Sequence, residues 1–215
     1  MSAQVYPEAL PKRGTLAYLE AFPNEVLTMS LDEYWENELK NEYKSEFYKN
    51  KVTAIMPYTS LSHSEILSNI DLILKPYVRS KEWYSARETR PVWIVACDLN
   101  TYPDYFIAES SEKIAFRGQQ LAEMTPSVII EVLSPSTEGY DKGKKLRCYR
   151  QIPSLKQIIL VAQNEPTIDV YQKNDNNEWV YFDVTGIDKA VTIAEKSVLL
   201  SDIYLTINFQ AVTEE

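Results

Sequence analysis

No apolar run in this 215-residue chain approaches the roughly 18 to 20 residues that a membrane-crossing helix needs. The opening stretch MSAQVYPEALPKRG has no apolar centre of the kind a secretory signal carries. Together these exclude a helical anchor in the sequence and lead to the expectation of a cytosolic protein. Cysteine is scarce: Cys97 and Cys148 are the only two, without metal-binding spacing. In a reducing compartment they are expected to be packed thiols rather than a bridge. Histidine is scarcer still, and His63 stands alone. As a single residue in the first turn of a helix it reads as a polar cap residue that fixes the preceding loop. A chemical role would need a second group brought to it by the fold. Positive charge is also in deficit, with 22 Lys and Arg against 31 Asp and Glu and a net charge of −9. That balance weighs against a protein that coats nucleic acid, because non-specific affinity for phosphate comes from clustered basic residues. It leaves room for a local basic groove, since Lys142, Lys144, Lys145, Arg147 and Arg150 crowd one segment.

What is present describes a globular chain. Apolar residues make up 45% and aromatics 12%, enough for one well-filled core, and no internal repeat or low-complexity linker divides it. The 15 Tyr and 4 Trp read as core and sheet-face residues before any base-stacking surface. Residues 1–26, punctuated by Pro7, Pro11 and Pro23, read as a loosely docked arm, and 27–215 as a single mixed α/β domain. Ser30 with Glu33 three residues on forms a capping-box signature for a helix to about Tyr43. Glu46 to Met56 reads as a hairpin about Lys49-Asn50, with Asn50 at positive φ. Ser62 to Glu65 repeats the capping pattern and opens a second helix ending near Pro76. Strands follow at Val92–Ala96 and Tyr105–Ala108, then a surface loop from Glu109 to Thr125. Further on, Gln157–Val161 is a buried strand, Thr167–Gln172 pairs with Trp179–Val184, and a last strand at Val191–Ile193 precedes a helical turn near Leu200–Tyr204.

The stretch from Thr125 to Pro153 is the informative one. Val128 to Leu133 is a β-branched apolar run bounded by Ser134-Pro135-Ser136, the signature of a short buried strand, and Glu131 stands inside it. A carboxylate there costs several kcal/mol unless a cation or hydrogen-bond donors meet it, so Glu131 is a candidate for metal or catalytic work. Asp104, just after Pro103 at the start of a strand, and Lys145, on the basic helix, complete a possible set. Two acids on neighbouring strands about 4.8 Å apart can face one divalent cation, and hard oxygen ligands suit Mg²⁺. A nearby lysine can orient an attacking water and offset phosphate charge.

The strings Tyr102-Pro103-Asp104, Val128-Ile129-Ile130-Glu131-Val132-Leu133-Ser134-Pro135-Ser136-Thr137-Glu138, Asp141-Lys142-Gly143-Lys144-Lys145-Leu146 with Tyr149, and Pro153-Ser154-Leu155 together resemble the putative restriction endonuclease family expanded in cyanobacteria. That family is assigned to the PD-(D/E)xK nuclease superfamily. The resemblance runs from about Leu27 to the C-terminus and is densest at EVLSPST with D-x-G-x-K after it. It implies a restriction-endonuclease-like core, a mixed central β-sheet flanked by α-helices, and Mg²⁺- or Mn²⁺-dependent hydrolysis of DNA phosphodiesters. Asp104, Glu131 and Lys145 would be catalytic. Asp104 and Glu131 would hold the metal, with Glu46 as a further ligand directly or through water. The superfamily lysine belongs two residues after Glu131, where Leu133 stands, so its place is taken by Lys145 on the helix. Asp141 would cap the helix or pair with that lysine, and Lys142, Lys144 and Arg147 would grip the DNA backbone. Enzymes of the superfamily that cut both strands often pair as homodimers. Two other readings compete: a non-catalytic interaction module that keeps the nuclease fold, and a plain buried acid neutralised by Lys145 alone.

Overall fold

Alternation on one strand sorts the core into two faces. In the computed structural model, which describes residues 16–40, 44–55, 60–116, 119–134 and 138–209, all six residues of the Val128–Leu133 strand are buried. Val128, Ile130 and Val132 pack in one hydrophobic cluster, and Ile129 and Leu133 in another on the opposite face.

The elements in chain order are α1 (Leu16–Ala21), β1 (Val26–Thr28), α2 (Leu31–Glu38), β2 (Ser45–Tyr48), β3 (Lys51–Ala54), α3 (Leu61–Ser80), β4 (Tyr84–Arg87) and β5 (Val92–Ile94). A 3₁₀ turn (Val95–Cys97) leads to β6 (Leu99–Thr101), β7 (Tyr105–Ala108), β8 (Lys113–Phe116), β9 (Gln119–Glu123) and β10 (Val128–Leu133). The basic segment is α4 (Glu138–Tyr140), a π-helical turn (Asp141–Lys145) and α5 (Leu146–Tyr149). Then come β11 (Gln157–Ala162), β12 (Thr167–Lys173), β13 (Trp179–Thr185), β14 (Ala190–Ile193), β15 (Lys196–Leu199) and α6 (Leu200–Ile203).

The central sheet is six-stranded, in the order β13-β12-β11-β10-β7-β4. It is mixed: β10 and β11 run parallel, and the other neighbours are antiparallel. α3 covers one face through Ile66, Leu67, Ile70, Leu74 and Val78, and α5 covers the other through Leu146, Cys148 and Tyr149. A seven-stranded sheet, β1-β3-β2-β6-β5-β9-β8, shares the α5-side cluster through Val92, Ile94 and Leu99. The expected mixed α/β architecture is therefore present, with a second sheet beside the first.

Several elements differ from the sequence reading. The segment read as a loose arm holds α1, and β1 begins at its last residue, Val26; Leu16 and Leu19 are buried beside Tyr34, Trp35 and Phe47, and residues 1–15 lie outside those described. Ser30 and Glu33 form the reciprocal capping box, but α2 ends at Glu38, and residues 41–43 are not described. The β2–β3 turn places both Lys49 (φ 47°) and Asn50 (φ 63°) in the left-handed region, as a two-residue hairpin requires. α3 is capped by Ser60 rather than Ser62, the Ser60 hydroxyl accepting from the His63 N–H at 3.0 Å. It also runs through Pro76 to Ser80. Pro76 and Leu72 are both on the solvent side, so the carbonyl that the missing N–H leaves unpaired is near water. The strand expected to reach Ala96 gives way to the 3₁₀ turn after Ile94, and the supposed loop from Glu109 contains the β8–β9 hairpin.

The cysteines are a correction. Cys97 and Cys148 form a disulfide, their Cα atoms 5.8 Å apart, tying the end of the 3₁₀ turn to α5. With a sequence separation of 51, their meeting depends on how the two sheets pack against α5.

Candidate active site

Register brings the two acids together. β10 and β7 pair Val128 with Ile107, Ile129 with Phe106 and Ile130 with Tyr105, and one further step sets Glu131 opposite Asp104. The Asp104 N–H lies 3.3 Å from Glu131 Oε2, and Asp104 Oδ2 accepts the Val132 N–H at 2.7 Å. Asp104 thus closes the end of the ladder with its side chain. Glu131 lies on the face covered by α5, where Tyr149 donates its hydroxyl to Oε1 at 2.6 Å and Lys145 Nζ stands 2.7 Å from the same oxygen. The π-helical turn carries Lys145 on the strand side, where Asp141 Oδ1 is 3.4 Å from its ammonium. Glu131 is 3% exposed and Lys145 7%.

Burial pushes the Glu131 carboxyl up to about 8 against the pull of Lys145, and Asp104 and Asp141 push it in the same upward direction. Burial pulls Lys145 down, yet Glu131, Tyr149, Asp141 and Glu46 outweigh it and hold its ammonium well above the ordinary lysine range. Tyr149 is raised by burial and then by Glu131, and so keeps its proton and remains a donor. His63 Nε2 is 3.1 Å from Asp104 Oδ2. Burial pulls its pKa down, but the Asp104 hydrogen bond and charge more than compensate and raise it overall.

The other sequence-assigned residues lie further out. Glu46 on β2 accepts Thr101 Oγ1 at 2.7 Å on one oxygen and the Tyr140 hydroxyl on the other. Among the described residues no three His, Cys, Asp or Glu side chains are arranged to hold a metal ion together. Asp104, Glu131 and Lys145 therefore meet, while Glu46 is held aside by Thr101 and Tyr140. Asp104 and Glu131 do fit a hard cation as a pair. They repel one another; Asp104 Oδ1 takes part in none of the bonds above, and Glu131 Oε2 is met there only by the Asp104 N–H at 3.3 Å. Lys142 is held between Glu138 (3.0 Å) and Asp169 (3.1 Å), and Lys144 Nζ sits 3.2 Å from the Tyr48 ring centroid. Arg147 is exposed.

Comparison with known proteins follows the same span. A family model described as "Putative restriction endonuclease" (Uma2) matches residues 31–202. The chain belongs to this family. The Uma2 match encloses Glu46, His63, Asp104, Glu131 and Lys145 alike. Two uncharacterised proteins of Synechocystis are similar to the chain. One, sll1609, is 29% identical over 154 residues, covering 72% of this chain and 86% of its own length. The other, slr1290, is 28% identical over 167 residues, covering 75% and 83%. A crystal structure from Anabaena variabilis, described as a putative nuclease of DUF820, has the same fold. Its TM-score is 0.62 at 20% identity, over 79% of this chain and 96% of that one. The Uma2 protein thus has a nuclease-like fold, and among its described residues no helix is long and apolar enough to cross a membrane.

Two participants were not assigned to the site from sequence. Tyr149 stood in the family string without a role, and its place is legible only as four residues after Lys145, one helical turn along the same face. His63 left no signal for Asp104, 41 residues away.

Proposed function

We propose that this Uma2 protein is a Mg²⁺- or Mn²⁺-dependent endonuclease that hydrolyses DNA phosphodiesters, of the PD-(D/E)xK type. The convergence of Asp104, Glu131 and Lys145 at one end of the β7–β10 pair is the observation that carries this reading. Asp104 and Glu131 would hold the metal, and Glu46 acts at one remove because both its oxygens accept hydrogen bonds. When bound, the ion supplies Lewis-acid polarisation of a phosphoryl oxygen and acidifies water. Tyr149 and Lys145 fix Glu131 Oε1, so the carboxyl presents one orientation. Lys145, charged through the ordinary pH range, offsets phosphate charge and orients the attacking water. Lys144 and Arg147 bind the backbone, and Lys142 contributes less because two acids already neutralise it. We assign a homodimer on the ground that one site per copy needs two copies to cut both strands.

One observation favours a second reading, an interaction module that keeps the fold: Glu131 is 3% exposed and both its oxygens already have partners. Cleavage assays on supercoiled, linear and single-stranded DNA with Mg²⁺ and Mn²⁺ separate the two. The nuclease reading expects cleavage by wild type, and at least a hundredfold loss in Glu131→Gln and Lys145→Met, within the range reported for loss of one transition-state stabiliser. Equal cleavage by wild type and Glu131→Gln, or none by any of them, would leave the module.

A further inference from the structure

His63 does something the cap does not need. The α3 cap is made by its main chain, whose N–H donates to Ser60 Oγ at 3.0 Å, so its imidazole is not used there. That ring is turned inward, its side chain 5% exposed, with Nε2 3.1 Å from Asp104 Oδ2. The same oxygen accepts the Val132 N–H at 2.7 Å. Oδ2 is therefore held by two donors on two separate elements, α3 and β10, while Oδ1 takes part in neither bond. The other ring nitrogen, Nδ1, is buried and has no hydrogen-bond partner among the described residues. A neutral imidazole carries one N–H. A proton on Nδ1 would strand a buried donor and turn the Nε2 lone pair toward a carboxylate oxygen. A proton on Nε2 satisfies Asp104 and leaves only an acceptor unpaired, the cheaper arrangement. Protonation of the ring to imidazolium keeps the same Nε2–H bond, so the contact does not depend on which form is present.

We propose that His63 is a positioning residue for Asp104: its Nε2–H pins Oδ2 against the end of β10 and leaves Oδ1 as the oxygen offered to a divalent cation. The proposal rests on the nuclease reading for the identity of the ligand, and on geometry alone for the tautomer. It assigns the chain's only histidine, read from local pattern as a cap residue, a place in the site.

The experiment has two arms. Because the chain holds one histidine, a long-range ¹H–¹⁵N spectrum of the full-length protein at pH 9 reports this ring without ambiguity. The expected pattern is the Nε2–H tautomer, with a protected Hε2 signal that is lost or displaced in Asp104→Asn. An Nδ1–H tautomer in the wild type overturns the proposal and requires no variant to fold. In the second arm, Mn²⁺ binding is measured by calorimetry on wild type, Asp104→Asn, His63→Gln and His63→Phe. His63→Gln, which keeps an N–H near the Nε2 position, should bind within a fewfold of wild type. His63→Phe should bind roughly tenfold or more weakly, the usual effect of losing the partner of a metal-binding carboxylate. If Asp104→Asn loses the metal and folded His63→Phe binds as wild type does, the positioning role is overturned and the nuclease reading stands. Absence of Mn²⁺ binding by wild type overturns the nuclease reading and the positioning role with it, even if the Nε2–H bond is found.

Discussion

At the scale of single residues the site is a problem of charge kept out of water. Glu131 and Lys145 are each all but inaccessible, and they are tolerable only because they face each other, with Tyr149 and Asp141 completing the hydrogen bonding. Removing one partner should therefore cost more than removing both. Lys145→Met is expected to destabilise the fold by about 3 kcal/mol in urea, and the double variant Glu131→Gln/Lys145→Met to recover a large part of that. Additive losses in the double-mutant cycle would show that the pair is not coupled. A half-buried acid, Glu38, makes the pH behaviour testable away from the site. Burial raises the Glu38 carboxyl above 4.5, although hydroxyls of Tyr102, Ser45 and Tyr34 pull it down. A group raised on folding contributes stability that is fully present below its unfolded pKa and is lost as pH rises through its folded one. Wild-type stability relative to Glu38→Gln should thus decline as pH increases from 4.5 upward. A rise over that interval would contradict the upward shift. Glu131 was recognisable as anomalous from six letters of sequence, because an acid amid β-branched residues has few physical explanations. His63 was not, since a histidine beside capping serines has a sufficient local explanation.

At the scale of elements, the decisive contact is between segments far apart in the chain. The Cys97–Cys148 bridge fixes the 3₁₀ turn after β5 to α5, one residue before the tyrosine that donates to Glu131. Closing a loop with 51 residues of separation restricts the unfolded chain, an effect worth about 4 kcal/mol on the chain-entropy estimate. Cys97→Ala/Cys148→Ala should lose a substantial part of that in guanidinium titrations against oxidised wild type. Wild type under strong reductant should fall to the same midpoint as the variant, and an unchanged midpoint on reduction would mean that the bridge contributes nothing. Elements with a local code were readable in advance: the Ser30–Glu33 box, the Lys49-Asn50 hairpin, and β12 with β13 about Asn174, whose side chain accepts the Asn176 and Glu178 N–H groups. Those that were missed have no such code. β8 and β9 are short, with no sustained period-two pattern, and α3 passes Pro76 on its exposed side.

At the scale of the molecule, two sheets depend on one hydrophobic cluster. Val92, Ile94 and Leu99 of the seven-stranded sheet share one cluster with Phe106, Ile129, Ile158 and Leu160 of the six-stranded sheet and with Leu146, Cys148 and Tyr149 of α5. Cutting Leu99, which is fully buried, to alanine should cost about 2 to 5 kcal/mol and loosen both sheets together. Far-UV dichroism and tryptophan fluorescence should then report one coincident, shifted transition, whereas separate transitions would mean that the sheets unfold independently. The same packing decides the chemistry. Sequence by itself determined the family, the mixed α/β class, the buried strand with its acid and the lysine on the following helix, because periodicity, capping and motif spacing act over a few residues. Only the tertiary structure decided that Asp104 and Glu131 lie side by side, that Tyr149 and His63 hold them, that Glu46 is turned to Thr101 and Tyr140, and that the cysteines are joined. Each of these is a contact across tens of residues, fixed by strand register and by the packing of helices on the two sheet faces, which no short stretch of chain encodes alone.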